Sequence, residues 1–167
     1  MKNENPVRYS DDNKRYHTLN YYNKTGFAGK VFKAVIDAGF TCPNKDGTKG
    51  TGGCIYCMGG SGYFTEKSDS EIYDSVKHQL TAEKERIYKK HPDSLITAYF
   101  QANTNTYAPV ATLKEAYTAA LDFGVHGISI GTRADCLPDD VIALLCDINS
   151  KTHLTLELGL QTIHDKT

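Results

Sequence analysis

Three cysteines fall in one short, glycine-rich stretch, Cys42-Pro-Asn-Lys-Asp-Gly-Thr-Lys-Gly-Thr-Gly-Gly-Cys54-Ile-Tyr-Cys57, with spacing C-x11-C-x2-C. Three thiolates without a neighbouring fourth can hold three irons of a four-iron, four-sulfur cluster and leave the fourth iron open to a substrate or cofactor. The same C-x2-C pair also suits a structural zinc site, which is tetrahedral and closed. Zinc needs a fourth ligand, and the loop holds none: His78 falls in a predicted helix, and Cys136 and Cys146 lie far along the chain. Cys136 follows a later predicted strand and can approach in space. Cys146, inside Val-Ile-Ala-Leu-Leu-Cys-Asp-Ile, reads as a small core residue. Thiolate sulfur serves both metals, so spacing alone leaves iron–sulfur and zinc open.

The bulk properties narrow the setting. The chain has 167 residues, 40% hydrophobic and 23% charged, with net charge −1. It can bury a sizeable core as one domain. The charge balance gives no general pull toward nucleic acid, DNA included, or toward a membrane. Five cysteines are an odd number, and the start Met1-Lys-Asn-Glu-Asn-Pro lacks the apolar segment of a signal peptide. Both argue for reduced thiols and a cytoplasmic location. Residues 1–30 form a mildly basic arm: Lys2, Arg8, Lys14, Arg15, Lys24 and Lys30 stand against Glu4, Asp11 and Asp12, with Tyr9, Tyr16, Tyr21 and Tyr22 among them. Basic residues interleaved with aromatics suit RNA. The plain alternative is a solvated arm packed across the domain.

Behind the cysteine loop, strand and helix patterns alternate. Strands are predicted over Val31–Phe40, Ser94–Gln101, Val125–Arg133 and His153–Gln161. Ser70–Lys90 carries Ile72, Val76, Leu80 and Ile87 close to one helical face. Thr112-Leu-Lys-Glu115 has the form of a capping box, with Gly124 as a stop, and Pro138-Asp-Asp opens a further helix. The pattern predicts parallel strands with right-handed crossovers.

The strands carry polar residues on the face opposite their apolar one. In the fourth, Leu154, Leu156, Leu158 and Leu160 share one face, and His153, Thr155, Glu157, Gly159 and Gln161 the other. The third sets Ile128 and Ile130 against Ser129, Gly131 and Arg133, the second groups Thr97, Tyr99 and Gln101, and the first groups Lys33 and Asp37. A wall with Lys33, Asp37, Gln101, Arg133, Glu157 and Gln161 is too polar for a packed core, because buried charges need partners or ligands. The reading is a barrel whose lumen is the site, with the cysteine loop at the rim of the strand ends, where ligands bind in parallel strand–helix folds.

These residues together resemble the radical S-adenosylmethionine (SAM) superfamily, in its small bacterial YtqA/YhcC-type branch, kin to the Elongator catalytic subunit and HemN-type enzymes. The matching segments are Arg15-Tyr-His-Thr-Leu-Asn-Tyr-Tyr22, Val31 through Asn44, Gly53-Cys-Ile-Tyr-Cys57, Gly60-Ser-Gly62, Tyr99 through Pro109, Ile128 through Pro138 and Glu157-Leu-Gly-Leu-Gln-Thr162. They span nearly the whole chain. The long first gap matches this branch, and Ala134 stands where proline is expected.

The resemblance implies an α/β fold: a partial (β/α) barrel with about four of six strand–helix units, residues 31–167 being the N-terminal part of a longer core. It implies that Cys42, Cys54 and Cys57 ligate a four-iron, four-sulfur cluster whose open iron chelates SAM. Tyr56 would lie near the adenine. Gln101 and Asn103 stand at the strand end that usually holds the methionine amino group. Ser129, Arg133, Glu157 and Gln161 are candidates for ribose, carboxylate or substrate contacts. The implied activity is reductive cleavage of SAM to a 5′-deoxyadenosyl radical, with a donor such as flavodoxin or ferredoxin supplying the electron. The implied substrate is the wobble uridine of transfer RNA, in the pathway to 5-aminomethyl-2-thiouridine. Radical chemistry on a small metabolite and a non-catalytic zinc module are the alternatives. Glycines 47, 50, 52, 53, 59, 60 and 62 fit backbone that approaches such a group closely, and equally a merely flexible loop. Four strands fall short of a complete barrel, so the fourth is expected to leave an open edge with uncovered leucines.

Overall fold

The computed structural model describes residues 14–27, 29–55, 57, 70–159 and 163–164. A first helix, α1 (Leu19–Phe27), precedes four strands separated by helices: β1 (Val31–Ile36), α2 (Ile72–Tyr88), β2 (Leu95–Phe100), α3 (Val110–Phe123), β3 (Gly127–Thr132), α4 (Asp139–Asn149) and β4 (His153–Leu158). The strands form one parallel sheet in the order β1-β2-β3-β4. This is the α/β alternation expected from the sequence, with each strand trimmed to six residues.

Strand parity sorts the two faces as predicted. Ala34, Ile36, Ile96, Ala98, Phe100, Ile128 and Ile130 are buried in one core with Val76, Leu80, Leu113, Tyr117, Leu144 and Ile148 of the helices. Lys33, Thr97, Tyr99, Ser129, Thr155 and Glu157 take the opposite parity. The register sets Lys33 level with Thr97, Gly127 and His153. Gly127 is required there: a Cβ would lie 2.9 Å from the His153 carbonyl oxygen.

The polar face is concave. In a flat sheet β1 and β4 would stand about 14 Å apart, and Glu157 is four residues, about 13 Å, beyond the level of Lys33. Yet Lys33 Nζ donates to Glu157 Oε1, and Tyr99 Oη donates to Glu157 Oε2 at 2.8 Å. Twist and curvature of the sheet close that gap. Helix α1 lies over the N-terminal ends of the strands on this side, with Phe27 edge-on to His153 at 4.9 Å and Tyr22 at 6.3 Å. The described part of the basic arm is thus packed on the domain, while Tyr16 and Leu19 remain exposed.

The edges of the sheet differ. At β1, Gln79 of α2 accepts from the Asp37 N–H at 2.9 Å and donates to the Asp37 carbonyl at 3.0 Å, and Glu83 accepts from the Val35 N–H at 3.3 Å. These buried side chains stand in for a neighbouring strand and block the edge. At β4, Leu154 packs on the core, whereas Leu156 and Leu158 are 37% and 48% exposed.

Three local expectations change. Helix α3 begins at Val110 with Pro109 before it, so Thr112 sits in the first turn and caps nothing. The Pro109 carbonyl accepts from Thr112 and Leu113, which closes the first turn from Pro109 as the N-cap residue. Asp37 lies beyond the end of β1, where one carboxylate oxygen accepts from the Gly39 N–H at 2.9 Å, so it serves a turn and lies outside the strand. Cys146 is exposed, because it falls on the outer face of α4 while Val141, Leu144, Leu145 and Ile148 face the core. Gly124 ends α3 with φ +81°, as predicted.

Candidate functional site

The cysteine loop leaves β1 through Phe40 and folds upon itself. The Cys42 carbonyl accepts from the N–H of Lys45 and Asp46, the Pro43 carbonyl from Lys49, and the Asn44 carbonyl from Gly53. Gly52 and Gly53 both take positive φ, +83° and +80°, immediately before Cys54, a region that side-chain-bearing residues avoid. The Cys57 N–H then donates to the Cys54 carbonyl at 2.8 Å, closing the C-x2-C turn. Cys42 is buried, Cys54 half-buried and Cys57 exposed.

All three cysteines line one cavity of about 640 Å³ at the C-terminal ends of the strands, together with Asn44, Lys45, Asn103, Arg133, Asp135 and Gly159. Five sequence candidates therefore converge: Cys42, Cys54, Cys57, Asn103 and Arg133. Asn44 Nδ2 donates to Cys54 Sγ at 3.2 Å. Asn103 Nδ2 donates to the Phe40 carbonyl at 2.7 Å and its Oδ1 accepts from Lys45 Nζ at 2.5 Å. Arg133 forms a two-pronged pair with Asp135, 2.8 Å and 2.7 Å. That pairing raises the Arg133 guanidinium further, and hydrogen bonds from Arg133 and Lys49 hold the Asp135 carboxyl well below the usual range.

The rim that carries these groups is strained and buried. Ala102 and Asn103 have φ of +73° and +60°. Asn tolerates that region; Ala does not, and such strain persists only where surrounding contacts hold it. Asn105 Nδ2 supplies them, donating to the carbonyls of Ala102 at 3.0 Å and Gly131 at 2.9 Å. Thr104, Asn105 and Thr106 are almost wholly buried. Thr106 Oγ1 bonds Thr132 Oγ1 at 2.5 Å and donates to the Cys136 carbonyl at 2.6 Å, and Tyr117 Oη donates to the Asn105 carbonyl. The ends of β1, β2 and β3 are locked into one platform.

Other candidates lie elsewhere. Gln101 is exposed at the end of β2, outside the cavity wall. Ser129 and Glu157 border a small space of about 100 Å³ deeper in the concave face, with Lys33, Thr97, Thr155 and α1. Burial would push the Glu157 carboxyl up, but hydrogen bonds from Lys33 and Tyr99 more than offset it and lower it. Burial and the bond to Glu157 push the Tyr99 phenol up to about 12. Cys136 lines a neighbouring cavity of about 820 Å³, and burial pushes its thiol up. Tyr56, Gln161 and glycines 59, 60 and 62 lie outside the described residues.

The donor set is thiolate, which serves an iron–sulfur cluster and zinc alike. Three thiols open on one space, an amide N–H points at one sulfur, and cationic Lys45 and Arg133 border the same wall. Among the described residues no three His, Cys, Asp or Glu side chains are close enough to share a single ion. Sequence reasoning passed over Asn44, Lys45, Asp135 and the Thr104–Thr106 platform. The Arg-x-Asp spacing at 133 and 135 was the available signal for the fork.

Along its whole length the chain is similar to the uncharacterized protein YtqA of Bacillus subtilis strain 168, at 47% identity over 169 residues, covering 51% of that relative. Protein YhcC of Escherichia coli K12 is 39% identical over 143 residues, 84% of this chain and 44% of the relative. The uncharacterized protein MJ0486 of Methanocaldococcus jannaschii is 34% identical over 151 residues, 87% of this chain and 44% of the relative. The chain spans about half the length of the curated relatives it matches. No family model matches it.

Proposed function

We propose that this chain forms part of a radical SAM enzyme, with Cys42, Cys54 and Cys57 holding a four-iron, four-sulfur cluster at the mouth of a partial (β/α) barrel. The observation that carries the reading is the convergence of the three cysteines with Asn103 and Arg133 on one cavity at the ends of parallel strands. When bound, the cluster supplies the electron that cleaves SAM to a 5′-deoxyadenosyl radical.

The chain's own residues bind and orient. The Asn44 amide donates to the Cys54 sulfur, a contact that stabilises a thiolate and tunes a cluster. Arg133, held in place by Asp135, offers a planar pair of donors to the carboxylate end of SAM. Asn103, fastened by Lys45 and the Phe40 carbonyl, fixes the strand-two rim that would hold the methionine end of SAM. Deeper in the concave face, the Lys33–Glu157 ion pair, braced by the neutral Tyr99 hydroxyl, lines the space open to a substrate.

The substrate proposed is a wobble uridine of transfer RNA, with flavodoxin or ferredoxin as electron donor and the cytoplasm as location. The exposed Tyr16 and the basic Lys14 and Arg15 beside it support an RNA contact. Among the described residues no helix is long and apolar enough to cross a membrane. Anaerobic reconstitution with iron and sulfide, followed by SAM cleavage with and without transfer RNA, tests the reading. Cleavage stimulated by transfer RNA is expected. Cleavage indifferent to it points to a small metabolite, and tight zinc binding without iron uptake overturns the enzyme reading.

A further inference from the structure

We propose that the eleven residues between Cys42 and Cys54 are a clamp latched by one ion pair and two hydrogen bonds, and that Asp135 is the positioning residue joining the clamp to Arg133. The span is not slack. Its internal hydrogen bonds fold it back on Cys42 and Pro43, leaving Lys45, Thr48 and Lys49 free to reach outward. Lys45 reaches Asn103 on the loop after β2 at 2.5 Å, Thr48 Oγ1 meets Tyr107 Oη at 2.9 Å, and Lys49 pairs with Asp135 on the loop after β3. The loop from β1 is thereby tied to the two neighbouring strand ends.

Asp135 has a double duty. Its Oδ2 meets both Lys49 and Arg133, and its Oδ1 accepts from Arg133 Nε. One carboxylate therefore holds the cysteine loop and sets the direction of the guanidinium on the cavity wall. An isolated exposed ion pair contributes little, because solvent screens it and two long side chains must be ordered. Here the carboxylate is shared and the Arg133 fork is two-pronged, which fixes geometry as well as charge. A short C-x3-C gap leaves no room for such latches.

The clamp does not depend on any bound group, whereas the role of Arg133 rests on the function proposed above. Hydrogen exchange of peptides covering residues 43–53, on protein without metal, tests the first. Lys49→Met and Asp135→Asn should each speed exchange about two- to fivefold, the scale of one exposed ionic network. The charge-exchanged pair, Lys49→Asp with Asp135→Lys, should restore protection. SAM binding to reconstituted protein by equilibrium dialysis tests the second. Asp135→Asn should weaken it about tenfold, the size of a lost charge-assisted contact, and more than Lys49→Met does. The charge-exchanged pair should stay weak, since its new lysine repels Arg133. Unchanged exchange in both single variants overturns the clamp. Equal losses of SAM affinity in the two single variants overturn the positioning role. Wild-type protein that holds neither iron nor SAM overturns the proposed function, while exchange still decides the clamp.

Discussion

Lys33 of β1 and Glu157 of β4 form an ion pair across the full width of the sheet, although two strands lie between them. Tyr99 of β2 braces the pair, with its hydroxyl on Glu157 and its ring 3.9 Å from Lys33 Nζ. The pair ties the first and last strands together over the concave face. Both side chains are 36% exposed, so solvent tempers the attraction. Lys33→Met and Glu157→Gln should each destabilise the protein, and the double variant should lose less than the two combined, with a coupling of about 1 kcal/mol. Denaturant unfolding of the four proteins measures it. Additivity within about 0.3 kcal/mol would show that the pair does not hold the curvature.

The same network makes Tyr99 a reporter of pH. Its phenol is pushed from 10.0 to about 12 by burial and by the bond to Glu157. The folded state holds this proton where the unfolded chain has released it, so the contribution is complete below pH 10 and is lost as pH rises toward 12. In Glu157→Gln the charge is gone but the burial remains, so Tyr99 should titrate part of the way back toward its ordinary value. Tyrosinate absorbance, with Tyr99→Phe subtracted, reads this. A Tyr99 titration unmoved by the substitution would rule out Glu157 as a cause.

Strain at the rim predicts a stabilising change. Ala102 occupies left-handed backbone with φ +73°, which costs an L-residue about 1–2 kcal/mol. Ala102→Gly removes most of that, partly offset by a more flexible unfolded chain, and should raise stability by about 0.5–1 kcal/mol. Thermal unfolding checks the direction. A fall in stability would mean that the Ala102 methyl group contributes packing worth more than the strain.

The five cysteines should separate cleanly by place. Cys54→Ala removes a thiol from the cavity wall and should abolish iron uptake on anaerobic reconstitution. Cys146→Ser, on the exposed face of α4, should leave iron content and visible absorbance as in the wild type. Loss of iron in both variants would assign the metal to some other arrangement of thiols.

Much of this architecture was legible in the chain. A side-chain period of two sorted Lys33, Tyr99 and Glu157 from Ala34, Phe100 and Leu154 before any fold was known, because a strand has only two faces. The helical spacing of Ile72, Val76, Leu80 and Ile87 marked the buried stripe of α2. The cysteine spacing and the strand just before it placed the thiols at a strand end. Gln79 and Glu83 were not legible. They lie on the buried side of α2, and only a neighbouring open edge explains polar atoms there. Cys146 misled because a cysteine in an apolar run resembles a core residue, and the turn of α4 decides which way it faces.

What the sequence determined by itself was local and periodic: which residues share a face, where a helix stops at Gly124 or starts after Pro138, and which thiols travel in one loop. What only the tertiary structure decided was every relation between distant segments. Lys33 meets Glu157, Lys49 meets Asp135, and Asn105 holds both Ala102 and Gly131. Those contacts depend on sheet curvature and on three loops meeting at one rim. Pattern along a chain carries direction and period, but not the distances between elements that packing sets.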